Sequence, residues 1–201
     1  MKHCYNCGCE LTKNEETKEH IPMKALFRGY PLDKLDKPIT VPACNTCNNR
    51  YSKIEEDFKN IIALWAANEN TDISDDFIHS SIRSPKLYSK LRTQHDQIIA
   101  VFNIKDYNDV HIKNFKGLYY KLYGKPLPKS YQIGILADLS SNPKDHPFLN
   151  MFMKERFPNK TLSFVGHKDI FQYRMVDLDF GIMCTMIYFK KLFAHIYAIR
   201  K

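Results

Sequence analysis

Five of the six cysteines fall within the first 47 residues, and four of them form two CxxC pairs, Cys4/Cys7 and Cys44/Cys47. A CxxC turn brings two thiolates to one metal ion, and two such turns complete the tetrahedron of a structural zinc site. All four positions are then thiolates, so no place is left for a reactive water. The spacing therefore predicts structural Zn²⁺ held by Cys4, Cys7, Cys44 and Cys47.

The two remaining cysteines have simpler interpretations. Cys9 could replace Cys7 as a ligand, but we expect it to point away as a spare thiol. Cys184 lies in the apolar segment IMCTMIYF and is typical of a small core residue. Gly8, directly after Cys7, permits the tight backbone turn that a zinc knuckle needs.

Between the two pairs lies the segment Glu19-His20-Ile21-Pro22, and Asn48 follows the last cysteine of the second pair. The unperturbed pKa of histidine suits a general base near neutral pH. Carboxylate and amide oxygens are ligands that a hard divalent cation accepts. These residue types are therefore suited to a metal-dependent hydrolysis.

The order of CxxC, acid-His, CxxC and Asn resembles the HNH, or His-Me finger, endonucleases, in their zinc-stapled ββα-metal form. The resemblance covers residues 1–58. It implies hydrolysis of phosphodiester bonds, with His20 on the first β-strand as the base that activates water. It also implies that Glu19 and Asn48, the latter opening the next helix, hold Mg²⁺ or Mn²⁺.

Two positions differ from the common pattern of that family. Ile39 stands where many members carry a middle Asn, so Thr40 or a backbone carbonyl becomes the candidate partner of the His20 ring. Glu19 stands where Asp is commoner, and its longer side chain changes the reach to the metal.

Glu55 follows Asn48 by seven residues, which is about two turns of a helix on the same face. It is therefore a candidate accessory acid. The simpler alternative, which we favour from the sequence, is that Glu55, Glu56 and Asp57 form a solvated acidic face.

The net charge is +8, with a pI of about 9.1. Residues 1–60 carry ten Lys/Arg against nine Asp/Glu, so most of the excess lies in the second part of the chain. A basic excess favours an acidic partner such as nucleic acid or an anionic surface. The charge fits DNA and RNA alike, and together with the nuclease resemblance we expect DNA. No apolar run approaches the roughly 20 residues of a membrane span, and MKHCYNCGCE lacks an apolar signal region. We therefore expect no membrane contact and a cytoplasmic protein.

We expect an α+β fold. The family resemblance implies a zinc-stapled ββα-metal module over 1–58, and the apolar patterns predict a mixed α+β domain over 59–201 with an antiparallel sheet. A helix should run from about Ser52 to residue 70, followed by short helices over 74–93 broken near Pro85. Further helices are predicted over 110–123 and 146–157. Strands are predicted over 97–104, 131–139, 161–166, 170–176, 182–189 and 192–199, with a turn at 179–181.

The helix predicted over 110–123 carries Lys113 and Lys116 opposite its apolar side. They could form a phosphate-contacting ridge, but a solvated helix face is the interpretation that we favour.

Two functions from different classes follow. The first is a metal-dependent HNH endonuclease whose second domain selects substrate, binds a partner protein or forms a homo-oligomer. The family resemblance implies a setting in restriction or phage defence. The alternative is a non-catalytic zinc-knuckle module that binds nucleic acid, but that function does not require His20 and Asn48 together.

Overall fold

A computed structural model describes residues 2–30, 38–68, 73–138, 163–164 and 169–201. The described residues up to Leu127 form one compact unit, and those from Pro128 onward form a second. Helices occur together with antiparallel sheets, which confirms the predicted mixed α/β composition. The helix predicted over 146–157 lies outside the described residues.

The first unit begins with short strands around the cysteines. β1 (Lys2–His3) pairs antiparallel with β2 (Glu10–Leu11). Between them Gly8 has a φ of 76°, in the left-handed region that glycine enters without steric cost. Its N–H donates to the carbonyl of Cys4 at 2.9 Å, so the tight turn predicted at Gly8 is present.

The next two strands lead directly into a long helix. β3 (Glu16–Ile21) pairs antiparallel with β4 (Ile39–Cys44), with His20 opposite Thr40. A 3-10 turn over Lys24–Phe27 follows β3, and α1 (Asn45–Asn68) follows β4. The helix begins earlier than predicted, so Cys47 lies in its first turn. Asn48 is its fourth residue and does not open it.

The rest of the first unit is α2 (Asp75–Ile82), α3 (Pro85–Lys90), β5 (Leu91–Gln94), β6 (Gln97–Ala100) and α4 (Ile104–Tyr123). The helix break before Pro85 is confirmed, since proline is well suited to a first helical turn. Residues 91–94 are strand, however, and the strand predicted over 97–104 ends at Ala100. Their turn has positive φ at His95 and Asp96 without the glycine that usually marks such turns.

Helix α4 starts six residues before the predicted position because Asn103 caps it. The Asn103 side chain accepts the N–H of Lys105 at 3.0 Å, which satisfies a donor that the helix cannot pair internally. The helix ends at Gly124, with φ of 68°, as predicted. On its inner side, Gly117 lies so close to Ile21 of β3 that a Cβ would meet the Ile21 side chain at 2.4 Å.

The second unit is an antiparallel sheet in the order β7-β11-β10-β9-β8 among the described strands. These are β7 (Tyr131–Asp138), β8 (Ser163–Phe164), β9 (Phe171–Leu178), β10 (Gly181–Tyr188) and β11 (Leu192–Arg200). Seven of the eight residues of central β10 are buried, and buried Cys184 is one of them. The antiparallel sheet predicted near the carboxyl end is confirmed.

The domain boundary predicted between residues 58 and 59 falls inside α1, whereas the compact units divide at Leu127–Pro128. The reason is apolar packing along the continuous helix. Phe58 of α1 is buried and lies 5.4 Å, centroid to centroid, from Tyr107 of α4. Helices α1 and α4 therefore share one core with the cysteine-bearing segment.

Within the described part of the chain, none of the helices combines the length and apolar character that crossing a bilayer requires.

Candidate metal centre and catalytic cavity

The cysteines form a cluster that could hold a metal ion. The sulfur atoms of Cys4, Cys7, Cys9 and Cys44 all lie within 4.8 Å of one another. Four thiolates at this separation suit Zn²⁺, which binds sulfur tetrahedrally at about 2.3 Å. The two CxxC segments, from opposite ends of the β1–β4 region, therefore converge as their spacing predicts.

The electrostatics of the cluster favour a thiolate at Cys7. Burial raises the pKa of this thiol, but hydrogen bonds from the Cys9 backbone and from the neighbouring thiols outweigh burial and lower the pKa to about 7. Burial raises the pKa of Cys4. A bound cation would offset that cost, because metal ligation requires deprotonated sulfur.

Cys9, which we expected to point away as a spare thiol, lies with the cluster, and Cys47 lies next to it. Cys9 belongs to the group of four sulfurs. The Cys47 sulfur lies beside it and accepts an N–H from the Asn6 side chain at 3.3 Å. Cys47 is also buried, and its backbone N–H donates to the Cys44 sulfur at 3.4 Å. Five thiols thus lie close together, whereas zinc takes four ligands. Cys4, Cys7 and Cys44 belong both to the predicted set and to the observed group, so Cys9 and Cys47 are alternatives for the fourth ligand.

A cavity of about 300 Å³ lies between the end of β3, the turn that follows it and one face of α1. Its lining is polar and charged for the most part, and it includes two of the predicted site residues and the accessory acid. The lining residues are Glu19, His20, Met23, Lys24, Ala25, Ser52, Glu55, Glu56 and Lys59. The cavity therefore brings Glu19, His20 and Glu55 to one place.

Beneath this cavity, two carboxylates converge on the ammonium group of Lys113. The Lys113 Nζ atom lies 3.0 Å from Glu19 Oε1 and is hydrogen bonded to Glu55 Oε1. It also donates to the backbone carbonyl of His20 at 3.1 Å. The Lys113 side chain is 0% exposed, that of Glu19 is 7% exposed and that of Glu55 is 15% exposed. Burial raises the pKa of Glu55, and Lys113 opposes that effect.

One oxygen of Glu19 has no partner. Glu19 Oε1 accepts the backbone N–H of His20 at 3.1 Å as well as the ion pair with Lys113. Glu19 Oε2 is buried without a hydrogen-bond partner. A buried, unsatisfied carboxylate oxygen is costly, and it is the donor type that Mg²⁺ and Mn²⁺ bind. Glu19 therefore fits the divalent-cation ligand expected from the sequence.

His20 is half-buried beside this carboxylate, on the strand edge of the cavity. Burial lowers the pKa of its imidazole, Glu19 opposes this effect, and the ammonium groups of Lys24 and Lys113 lower the pKa further. Burial and the two lysines therefore favour the neutral ring, which is the form that accepts a proton. Thr40, its candidate partner, lies opposite His20 in the β3–β4 register.

Asn48 lies one helical turn before Ser52 and two before Glu55 on α1. It is half-buried, and it is not one of the described residues that line the cavity. Its part in holding the cation therefore stays a prediction from the family resemblance.

Two expectations about charged residues were wrong. Glu55 does not belong to a solvated acidic face, because it is largely buried against Lys113. Lys113 and Lys116 do not form a solvated helix face either: the Lys116 ammonium donates to Asn6 Oδ1 at 3.0 Å. Asn6 in turn contacts the Cys47 sulfur, so α4 is bonded to the cysteine cluster as well as to β3.

Lys113 was not among the residues predicted for this site. A lysine on the flank of an amphipathic helix is usually solvated, and its partners lie 58 to 94 positions away in the sequence. The one local signal is Gly117, one turn later, because glycine inside a helix often marks a close approach of another backbone or side chain.

Comparison of the chain with models of protein families, with curated proteins and with solved structures found no match.

Proposed function

We propose that the chain is a metal-dependent endonuclease of the HNH type that hydrolyses phosphodiester bonds in nucleic acid, with DNA as the favoured substrate. The observation that supports this most directly is that His20 and buried Glu19 line one cavity. The order β3, β4, α1 beside a thiol cluster agrees with a zinc-stapled ββα module.

In this mechanism His20 accepts the proton of the attacking water. Hydrolysis of a phosphodiester needs a base that is neutral at the working pH and reaches the nucleophile. The half-buried position of His20 and the lysines around it favour the neutral ring. Thr40, across the strand pair, or a backbone carbonyl would orient the imidazole.

The divalent cation would bind Glu19 through Oε2, with Asn48 as a second ligand. Mg²⁺ or Mn²⁺, when bound, supplies positive charge that stabilises the transition-state phosphate. Lys24 and Lys59 line the same cavity and would attract the substrate phosphate before reaction. Glu55 would act as an accessory acid behind Glu19.

The zinc site would have a structural role. It joins the β1–β2 turn to the start of α1, and thus fixes the helix face that carries Ser52 and Glu55 against β3. The second unit would select the substrate, bind a partner protein or form a homo-oligomer. A role in restriction or phage defence follows from the family resemblance.

The test is cleavage of supercoiled plasmid and single-stranded DNA with Mg²⁺ or Mn²⁺, comparing the unmodified chain with His20→Ala. Loss of a general base lowers a rate by about 100-fold to 10,000-fold. His79→Ala is the matched control, because His79 is an exposed histidine on α2, away from the cavity lining. It should cleave at the unmodified rate.

Cleavage that EDTA and His20→Ala abolish, and His79→Ala does not, supports the proposal. Equal cleavage by unmodified chain and His20→Ala contradicts it. Tight DNA binding with no cleavage by any variant, in every metal, favours the alternative of a non-catalytic zinc-knuckle binding module.

A further inference from the structure

The ammonium group of Lys113 is a fully buried charge in the first unit. It is 0% exposed and lies in the middle of helix α4. Burial of an ionised ammonium group is very costly unless its hydrogen bonds are replaced. Here three oxygen acceptors replace them: Glu19 Oε1, Glu55 Oε1 and the backbone carbonyl of His20.

The oxygens around this ammonium group are of the kinds that also bind divalent cations. Two carboxylate oxygens from β3 and α1 and one backbone carbonyl converge on a single point, and oxygens of these kinds make up Mg²⁺ and Mn²⁺ sites. Without a cation there, Glu19 and Glu55 would repel each other in a poorly solvated place. Lys113 therefore supplies the positive charge that the carboxylate pair requires.

The approach of α4 makes this arrangement possible. Gly117 lies one turn after Lys113 and contacts Ile21 of β3 without room for a Cβ atom. This close contact brings the α4 axis near enough to β3 for the lysine side chain to reach beneath Glu19. Helix α4 lies outside residues 1–58, the segment to which the family resemblance applies.

We propose that the Lys113 ammonium is the resident cation of the Glu19–Glu55 pair, and that it positions Glu19 so that only Oε2 is left for an external divalent ion. Lys113 is thus a positioning residue that makes α4 part of the site. This inference rests on the proposed function only in treating the external ion as catalytic.

The experiment counts Mn²⁺ bound per zinc-loaded full-length chain by electron paramagnetic resonance. In Lys113→Met an unbranched, uncharged side chain of similar length replaces the lysine. The carboxylates of Glu19 and Glu55 then lack the positive charge between them. We expect Lys113→Met to bind one more Mn²⁺ per chain than the unmodified protein. The double variant Lys113→Met with Glu55→Gln should lose that additional ion.

Lys116→Met is the matched control, since it removes another partly buried ammonium group from α4. That ammonium group contacts Asn6 and not the carboxylate pair. It should leave the Mn²⁺ count unchanged. An unchanged count in folded Lys113→Met overturns the proposal, as does an equal gain in Lys116→Met. A variant of Lys113 that merely disturbed packing would not gain an ion that depends on Glu55.

Lys113→Met is expected to be less stable, so its folding provides a second readout. If it is unfolded without Mn²⁺, recovery of its helical circular dichroism on addition of Mn²⁺ supports the proposal, and no recovery overturns it. Neither measurement needs cleavage. A chain that lacks nuclease activity but gains the Glu55-dependent ion would contradict the proposed function and leave the role of Lys113 supported.

Discussion

Gly117 of α4 and Ile21 of β3 lie so close together that a Cβ on Gly117 would fall 2.4 Å from Cγ1 of Ile21. Both residues are buried. Ile21 directly follows His20, and Gly117 lies one turn after Lys113. This single contact therefore sets the distance between the helix that carries Lys113 and the strand that carries Glu19 and His20.

Gly117→Ala should destabilise the protein. At an open helix position the change from Gly to Ala stabilises by about 1 kcal/mol. Here the added methyl group overpacks the contact, which typically costs about 1–3 kcal/mol. Urea unfolding measures the difference. Adding Ile21→Val, which removes one methyl group from the contact, should make the double variant more stable than the sum of the single effects. Strict additivity would contradict a direct clash.

The ion pairs of Lys113 and of Asp109, both on α4, should differ widely in their contribution to stability. Lys113→Met leaves the buried Glu19 and Glu55 carboxylates uncompensated, for which about 3–5 kcal/mol is a typical loss. Arg50, which pairs with Asp109 at 3.2 Å, has a side chain that is 60% exposed. Arg50→Met should therefore cost less than about 1 kcal/mol. Denaturant unfolding of both variants checks this, and equal losses would contradict the burial of Lys113.

The zinc ligands can be ranked by single Cys→Ser variants. Loss of Cys4, Cys7 or Cys44 should lower zinc affinity and the thermal midpoint, because these three belong both to the predicted pairs and to the observed group of sulfurs. The geometry of that group predicts a larger loss of affinity for Cys9→Ser than for Cys47→Ser. Competition with a chromophoric chelator measures the affinities. The reverse order would assign the fourth position to Cys47, as the CxxC spacing predicts.

The acid limb of the cleavage profile should lie below pH 6.5. The base must be neutral, so kcat/KM falls as the pH drops through the pKa of His20. Burial lowers that pKa from 6.5, and Lys24 and Lys113 lower it further. Lys24→Met removes one nearby positive charge and should move the acid limb to higher pH. Lys53→Met, at an exposed position of α1 that does not line the cavity, is the control. An acid limb that responds equally to both changes would assign the titration to another group.

Much of the secondary structure follows from local patterns. Apolar segments separated by turn residues predict β9, β10 and β11, and the amphipathic segment ending at Gly124 predicts α4. The start of α4 was misjudged because Asn103 supplies a cap before the apolar pattern becomes regular. The hairpin β5–β6 was missed in part, since its turn uses His95 and Asp96 at positive φ and carries no glycine signal.

In the candidate site, too, some features could be predicted from local sequence patterns and others could not. The convergence of the cysteines could be predicted from the sequence, because the spacing of metal ligands within each CxxC pair is local. The sequence also determined that Glu19 and His20 are neighbours, and it identified Glu55 as a candidate on the same helical face as Asn48. Three features became known from the fold: Glu55 is largely buried, Cys9 belongs to the sulfur group, and Lys113 lies between two carboxylates. The environments of Glu55 and Lys113 depend on the docking of α4 against β3 and α1, and their partners lie more than fifty residues apart in the chain. A local sequence pattern does not identify the distant charge that replaces water around a buried group.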